Sequence, residues 1–309
     1  MGGVRGTDAS FRTEGQNQVK IKSKNPNVAP VAVGGVGGSG TRLVQNILER
    51  LGFFMGSDLN IASDNLWFTF LFVRPDLLTE HRTNFEKRAA IFRKAMLATG
   101  AFAQEESSLL DQLENIPVHH GPMMQLSWLR DRADSLRRAV VETRPTHTGR
   151  WGWKEPNTHI ALDNLIQVMP KMQYIHVIRN GLDMAFADKQ HQPFLWGNAL
   201  FGMPKKVVDP RYSLEYWCRA NRRAIQIGDE MGDRFFLLNY DDLCVSPEIT
   251  LAKLFGFLDV NVESGTFNSL VALVQPPDSI GRFRGHNRDE FDPQDIEFVA
   301  SLGFDTNWA

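Results

Sequence analysis

Apolar and polar positions along this chain follow two periods, and the switches between them mark its elements. The run "VAPVAV" at 28–33 is apolar throughout, as a strand buried on both faces of a parallel sheet requires. Glycines follow. Leu43, Ile47 and Leu51 then recur at helical spacing up to Gly52, which predicts a helix over 41–52. From about 60 to 148 the period stays helical. Phe85, Ala89, Phe92 and Met96 form one stripe, and Leu129, Ala133, Leu136 and Val140 another, with breaks at Pro117 and Gly121-Pro122. The stripes read as core and predict a mainly helical insertion over one end of a sheet.

Short apolar runs return at 149–156, 172–178 and 234–240, each followed by a helical pattern, as over 157–169 and 213–231. Ser246-Pro247-Glu248 has the form of a helix start. Strands alternating with helices predict an α/β fold, a parallel sheet flanked by helices. One domain over 29–309 accounts for the pattern, preceded by a polar, glycine-rich tail over 1–28 that predicts disorder.

The candidate chemistry lies where strands end. After the first strand, "GGVGGSGTR" has the glycine spacing of a phosphate-binding loop, but Thr41-Arg42 stand where Lys-Ser or Lys-Thr hold phosphate and magnesium in nucleoside-triphosphate enzymes. Backbone N–H groups of Gly37, Gly38, Ser39, Gly40 and Thr41, with the Ser39 and Thr41 hydroxyls, still make an anion cradle at a helix start. Arg179 stands just past the strand at 172–178, where α/β folds place ligands, and can fork onto a phosphate; Asp183 can pair with it or open the next helix. "WGWKEPNTH" brings Lys154, Glu155 and His159 to a strand end, with Pro156 fixing the chain direction. "SIGRFRGHNR" at 279–288 gathers arginines and glycines in a loop suited to closing over an anion.

Composition narrows the classes. A net charge of −2 excludes a protein built mainly to coat nucleic acid or an anionic membrane, so anion binding must be local. Cys218 and Cys244 form neither a C-x-x-C nor a zinc spacing and read as buried thiols of a cytoplasmic protein. The greasiest run, 66–73, ends at Arg74 and is too short to span a bilayer.

In order and spacing, these stretches resemble the sulfotransferases that use 3′-phosphoadenosine 5′-phosphosulfate (PAPS). "GGVGGSGTR" resembles their 5′-phosphosulfate loop, "VIRNGLDMAFAD" their 3′-phosphate motif and "WGWKEP" the bacterial-type Lys-x-Pro segment. "FLLNYDDLCVSPEITLAKLFGFL" is similar to the segment before their last helices, and "GRFRG" to their closing loop. The resemblance covers about 29–290. It implies a P-loop-like sulfotransferase fold and metal-free, in-line transfer from PAPS to a hydroxyl or amine of a small molecule or glycan, leaving 3′-phosphoadenosine 5′-phosphate. Ser39, Gly40 and Thr41 would hold the 5′ end, and Arg179 the 3′-phosphate beneath Arg282, Arg284 and Gly285.

Two positions depart from the family pattern. Gly38 stands where many members carry Lys or Arg, leaving Lys154 or Arg42 to supply the cation. Ala187 stands where the 3′-phosphate serine belongs. The base stays open between His159 and Glu155, with Asp58, His119 and His120 in the insertion as further candidates. A magnesium-dependent phosphotransferase and a non-catalytic nucleotide-binding module remain the rival readings; the sequence leaves acceptor and oligomeric state open.

Overall fold

Four short apolar segments pair into one parallel sheet; three of them are too buried for the alternation of a half-exposed strand, and the fourth, at the edge, is half-buried. The computed structural model describes residues 29–118, 126–141, 149–188, 190–204 and 207–308. The tail expected over 1–28, and His119 and His120, lie outside the described residues.

In chain order, β1 (Val31–Gly34) leads to α1 (Thr41–Arg50). The insertion follows as α2 (Leu66–Phe72), α3 (Arg82–Leu97), α4 (Gln104–Leu113) and α5 (Leu126–Ala139). Then come β2 (Gly152–Lys154), α6 (Leu162–Val168), β3 (Gln173–Ile178), α7 (Gly181–Ala185), α8 (His191–Phe201) and α9 (Pro210–Met231). The chain closes with β4 (Phe235–Asn239), α10 (Tyr240–Val245), α11 (Pro247–Phe257), α12 (Ser264–Val271) and α13 (Pro293–Ser301).

The sheet order is β2-β1-β3-β4, all parallel, with Val31 opposite Gly152 and Gln173, and Val33 opposite Lys154 and Ile175. Side chains alternate between two apolar layers. Val31, Val33, Ile175 and Val177 face a layer with Val44, Ile47 and Leu48 of α1 and Leu251 and Leu254 of α11. Ala32, Trp153 and Tyr174 face a larger layer that takes in α2–α6, α8 and α9. There Trp153 stacks on Phe68 at 5.5 Å between ring centroids and meets Phe92 edge-on at 5.1 Å, which anchors the insertion to the sheet.

Arg74 is fully buried and, among the described residues, has no carboxylate partner. It donates instead to the carbonyls of Phe70, Leu113 and Ile116 at 2.5, 2.9 and 2.6 Å, and burial pulls its pKa down to about 9. Arg88 bonds Glu80 and Asp76, at 2.6 and 2.7 Å, and the carbonyl of Leu71. Two arginines thus close helix ends that would otherwise bury open carbonyls. Among the described residues no helix is long and apolar enough to cross a membrane.

The helix expected over 157–169 is split into a 3-10 turn, Pro156–Ile160, and α6. Glu155 caps the turn, and the Arg223 guanidinium donates to the carbonyls of His159 and Ile160 at 2.7 and 3.4 Å, taking acceptors that a continuous helix would use.

Candidate active site

The strand order makes β1 and β3 neighbours, so the loops after them leave the same sheet edge side by side. Ligands of α/β sheets bind at such an edge. In the β1–α1 loop, Gly38 and Gly40 have φ of +96° and +97°, a region that favours glycine. At Gly40 a Cβ would lie 2.1 Å from the Tyr240 ring. At Gly38 it would meet only Met184 Cε, at 3.9 Å, so a side chain there would be opposed by the backbone conformation and not by lack of space. No side chain caps the first turn of α1, which leaves its leading N–H groups free to meet an anion. Among the described residues the buried Ser39 hydroxyl has no protein partner. Thr41 is buried with it, whereas Arg42 is exposed on the outer side of the helix.

A side chain absent from the sequence reading holds this loop. Gln192, near the start of α8, accepts the Gly37 N–H at 3.1 Å and approaches the Gly35 carbonyl at 3.5 Å. Its carbonyl oxygen also lies 3.3 Å from His159 Nε2, which must therefore carry the proton. Burial, and then the neighbouring His176, pull the His159 pKa down to about 3, so the imidazole is neutral. One helical turn on, Trp196 Nε1 donates to Asn157 Oδ1 at 3.1 Å, tying α8 to the β2 exit as well.

Arg179 leaves the end of β3 only 8% exposed. Its Nη2 donates to Ser279 Oγ at 2.6 Å, its guanidinium sits 5.7 Å from the Tyr240 ring centroid, and among the described residues its Nε has no partner. Asp183 does not pair with it. The Asp183 carboxylate accepts the backbone N–H groups of Gly281 and Phe283 at 2.8 and 3.2 Å, and so holds the loop expected to close over the site. Arg282 bonds the carbonyls of Ser279 and Phe186 at 3.3 and 3.2 Å. Arg284 is directed away, to the Asp305 carboxylate and the Asn307 carbonyl, and Gly285 is exposed beside it. His286 stacks flat on Phe186 at 3.6 Å. Asp241, near Arg179, is pushed up to about 6 by burial against the pull of that cation.

Lys154 and Glu155 end β2 on the same edge, both buried. Lys154 Nζ bonds Asp64 Oδ1 at 2.5 Å and the Ala62 carbonyl at 2.6 Å, so its charge is spent on the insertion and not left facing the glycine loop. Glu155 accepts the Asn157 backbone N–H at 2.5 Å and its side-chain amide at 2.9 Å. Burial first, and then Asp64, push the Glu155 carboxyl up to about 8. Asp58 is paired with Arg132 at 2.5 Å. Asp183, Gln192 and Ser279 complete the constellation. Of these, Asp183 and Ser279 stood in stretches already marked by their arginines, and only Gln192 did not.

A sequence model of the sulfotransferase family matches residues 30–264. The chain belongs to the sulfotransferase family. No curated protein matches it by sequence. Among solved sulfotransferases it is similar to the sulfotransferase domain of the Synechococcus PCC 7002 olefin synthase, at 16% identity and a TM-score of 0.49 over 94% of this chain and 100% of that one. It is also similar to sulfotransferase STF1 from Mycobacterium tuberculosis H37Rv, at 14% and 0.42 over 89% and 77%. A third likeness is to a retinol dehydratase solved with androsterone and inactive cofactor PAP, at 13% and 0.36 over 87% and 69%. The match to the sulfotransferase family includes the glycine loop, Lys154, Glu155, His159 and Arg179, and ends before the loop that carries Arg282.

Proposed function

We propose that this sulfotransferase uses PAPS and delivers the sulfuryl group to a hydroxyl or amine of a small-molecule or glycan acceptor. One observation carries the reading. Two adjacent strand ends present an uncapped glycine loop with an unpartnered buried hydroxyl, Ser39, and a buried arginine with a free Nε, Arg179. Groups buried without partners are costly unless a ligand satisfies them, and here both suit oxyanions.

Bound PAPS supplies an activated sulfuryl group on a leaving 5′-phosphate. The N–H groups of Gly38, Gly40 and Thr41, with the Ser39 hydroxyl, hold that end and stabilise the charge that grows on it without reorganising, while the Gly37 N–H stays with Gln192 and fixes the shape of the loop. Arg42, on the exposed side of α1, adds only a screened long-range attraction. Arg179 and Arg282 take the 3′-phosphate, while Arg284, followed by Gly285, shapes the loop through Asp305.

For the acceptor proton we assign Glu155 as the base. Its segment meets the glycine loop, with the Glu155 N–H on the Val33 carbonyl and the Gly35 N–H on the Pro156 carbonyl, both at 3.1 Å. Its carboxyl, pushed up to about 8, gains ionised fraction as the pH rises toward that value, whereas His159, at about 3, is a weak acceptor. Lys154 acts as a positioning residue, fixing Asp64 and the 60–64 turn against the end of β2.

Calorimetry and thermal shift with adenosine 3′,5′-bisphosphate, and with ADP with and without Mg²⁺, test the cofactor. The bisphosphate is expected to stabilise the chain without metal, by about 2.7 kcal/mol at a hundredfold excess over its Kd. Stabilisation by ADP–Mg²⁺ alone would falsify the reading in favour of phosphoryl transfer.

A further inference from the structure

The hydroxyl missing at position 187 reappears on another part of the chain. We infer that Ser279, in the closing loop, is the serine that reads the 3′-phosphate of the cofactor; the inference rests on the PAPS reading above.

The geometry sets up the substitution. Arg179 is the buried cation of the site, and among the described residues its one side-chain hydrogen bond is to Ser279 Oγ, at 2.6 Å. Because the hydroxyl oxygen accepts from Nη2, the Ser279 proton is left to donate elsewhere. The unpartnered Arg179 Nε and that O–H form a pair of donors anchored on one residue, and a phosphate presents acceptors in that arrangement.

The backbone of Ser279 is also bridged to that of Phe186, the residue before position 187. Arg282 donates from Nε to the Ser279 carbonyl at 3.3 Å and from Nη1 to the Phe186 carbonyl at 3.2 Å, so one guanidinium spans the two segments. Ala187 itself brings only a methyl group, in a turn closed by its own N–H to the Met184 carbonyl. Two residues after Ser279, the Gly281 N–H is fixed by Asp183, a residue four positions beyond Arg179. The loop that delivers the hydroxyl is therefore pinned to the segment that delivers the arginine, which lowers the ordering cost of binding.

The test compares affinities for adenosine 3′,5′-bisphosphate and adenosine 5′-monophosphate by calorimetry on the full chain. Wild type is expected to prefer the bisphosphate. Ser279→Ala should weaken the bisphosphate by about tenfold, the scale of a hydrogen bond to a charged group, and leave the monophosphate within about twofold. Ser279→Thr, which keeps the hydroxyl, should retain the preference. Adding Ala187→Ser to Ser279→Ala should restore part of it, which a merely structural role for Ser279 does not predict. Equal weakening of both nucleotides, no weakening, or no recovery with Ala187→Ser overturns the inference. A wild-type chain indifferent to the 3′-phosphate overturns instead the PAPS reading on which it stands.

Discussion

Lys154 illustrates how a single side chain can match a motif and still be committed elsewhere. Its ammonium is enclosed with the Asp64 carboxylate and the Ala62 carbonyl at the end of β2. Removing one member of a buried pair leaves the other uncompensated, which costs about 3–5 kcal/mol. Lys154→Ala is therefore expected to lower stability by that order in a denaturant titration, with turnover falling as the fold weakens. Lys154→Ala combined with Asp64→Ala should recover a good part of the loss. A single variant of wild-type stability and reduced kcat would instead return Lys154 to the reacting atoms. At Gly40 the effect is conformational. A φ of +97° disfavours an L side chain by about 1–2 kcal/mol, and an added methyl would strike the Tyr240 ring. Gly40→Ala should lower both the melting temperature and affinity for the bisphosphate, whereas Gly256→Ala, with nothing within 4 Å of the new methyl, should leave that affinity unchanged.

At the scale of elements, legibility follows the range of the interactions. The strands β1 and β3 stood out because burial on both faces makes them apolar throughout, and the glycine loop and Arg179 followed because each adjoins its strand in sequence. The 3-10 turn after β2 was missed because its cause is distant: Arg223 of α9 takes the carbonyls of His159 and Ile160. Gln192 was missed for the same reason. It meets Gly37 across 155 residues, and an amide in an apolar helix has no local signature of that contact. α8 acts as a clamp with two polar points, Gln192 on the loop and Trp196 on Asn157. Gln192→Ala should release the Gly37 N–H and speed its hydrogen exchange relative to β1 amides. Unchanged exchange would show that the loop holds its shape without α8.

For the molecule as a whole, the buried titratable groups set opposing pH limbs. Glu155, ordinarily near 4.5, is pushed up to about 8, so the folded chain holds a proton across that window that the unfolded chain has lost. Its stabilisation is full below about 4.5 and is lost as the pH rises through 8, by at most about 1.4 kcal/mol per pH unit. His159 and His176, held down to about 3 and 4, act with the other sign: the unfolded chain gains their protons first as the pH falls below about 6.5. Between about pH 7 and 8 both histidines are mostly neutral in either state, so Glu155 dominates there. Melting temperature should fall over that interval in wild type and stay level in Glu155→Gln. With Glu155 as base, kcat should climb over the same interval, so the chain gives up stability as it gains reactivity.

The last described residues lean on the closing loop. Trp308 packs edge-on against Phe283 at 4.9 Å and donates to the His286 carbonyl at 3.0 Å. Asp305 receives Arg284 through its carboxylate and the Asn180 side-chain amide through its carbonyl, at 2.8 Å for the latter. A purification tag fused after residue 309 would therefore hang from the scaffold of the 3′-phosphate loop. Nucleotide affinities compared between laboratories would then depend on which end of the chain carries the handle.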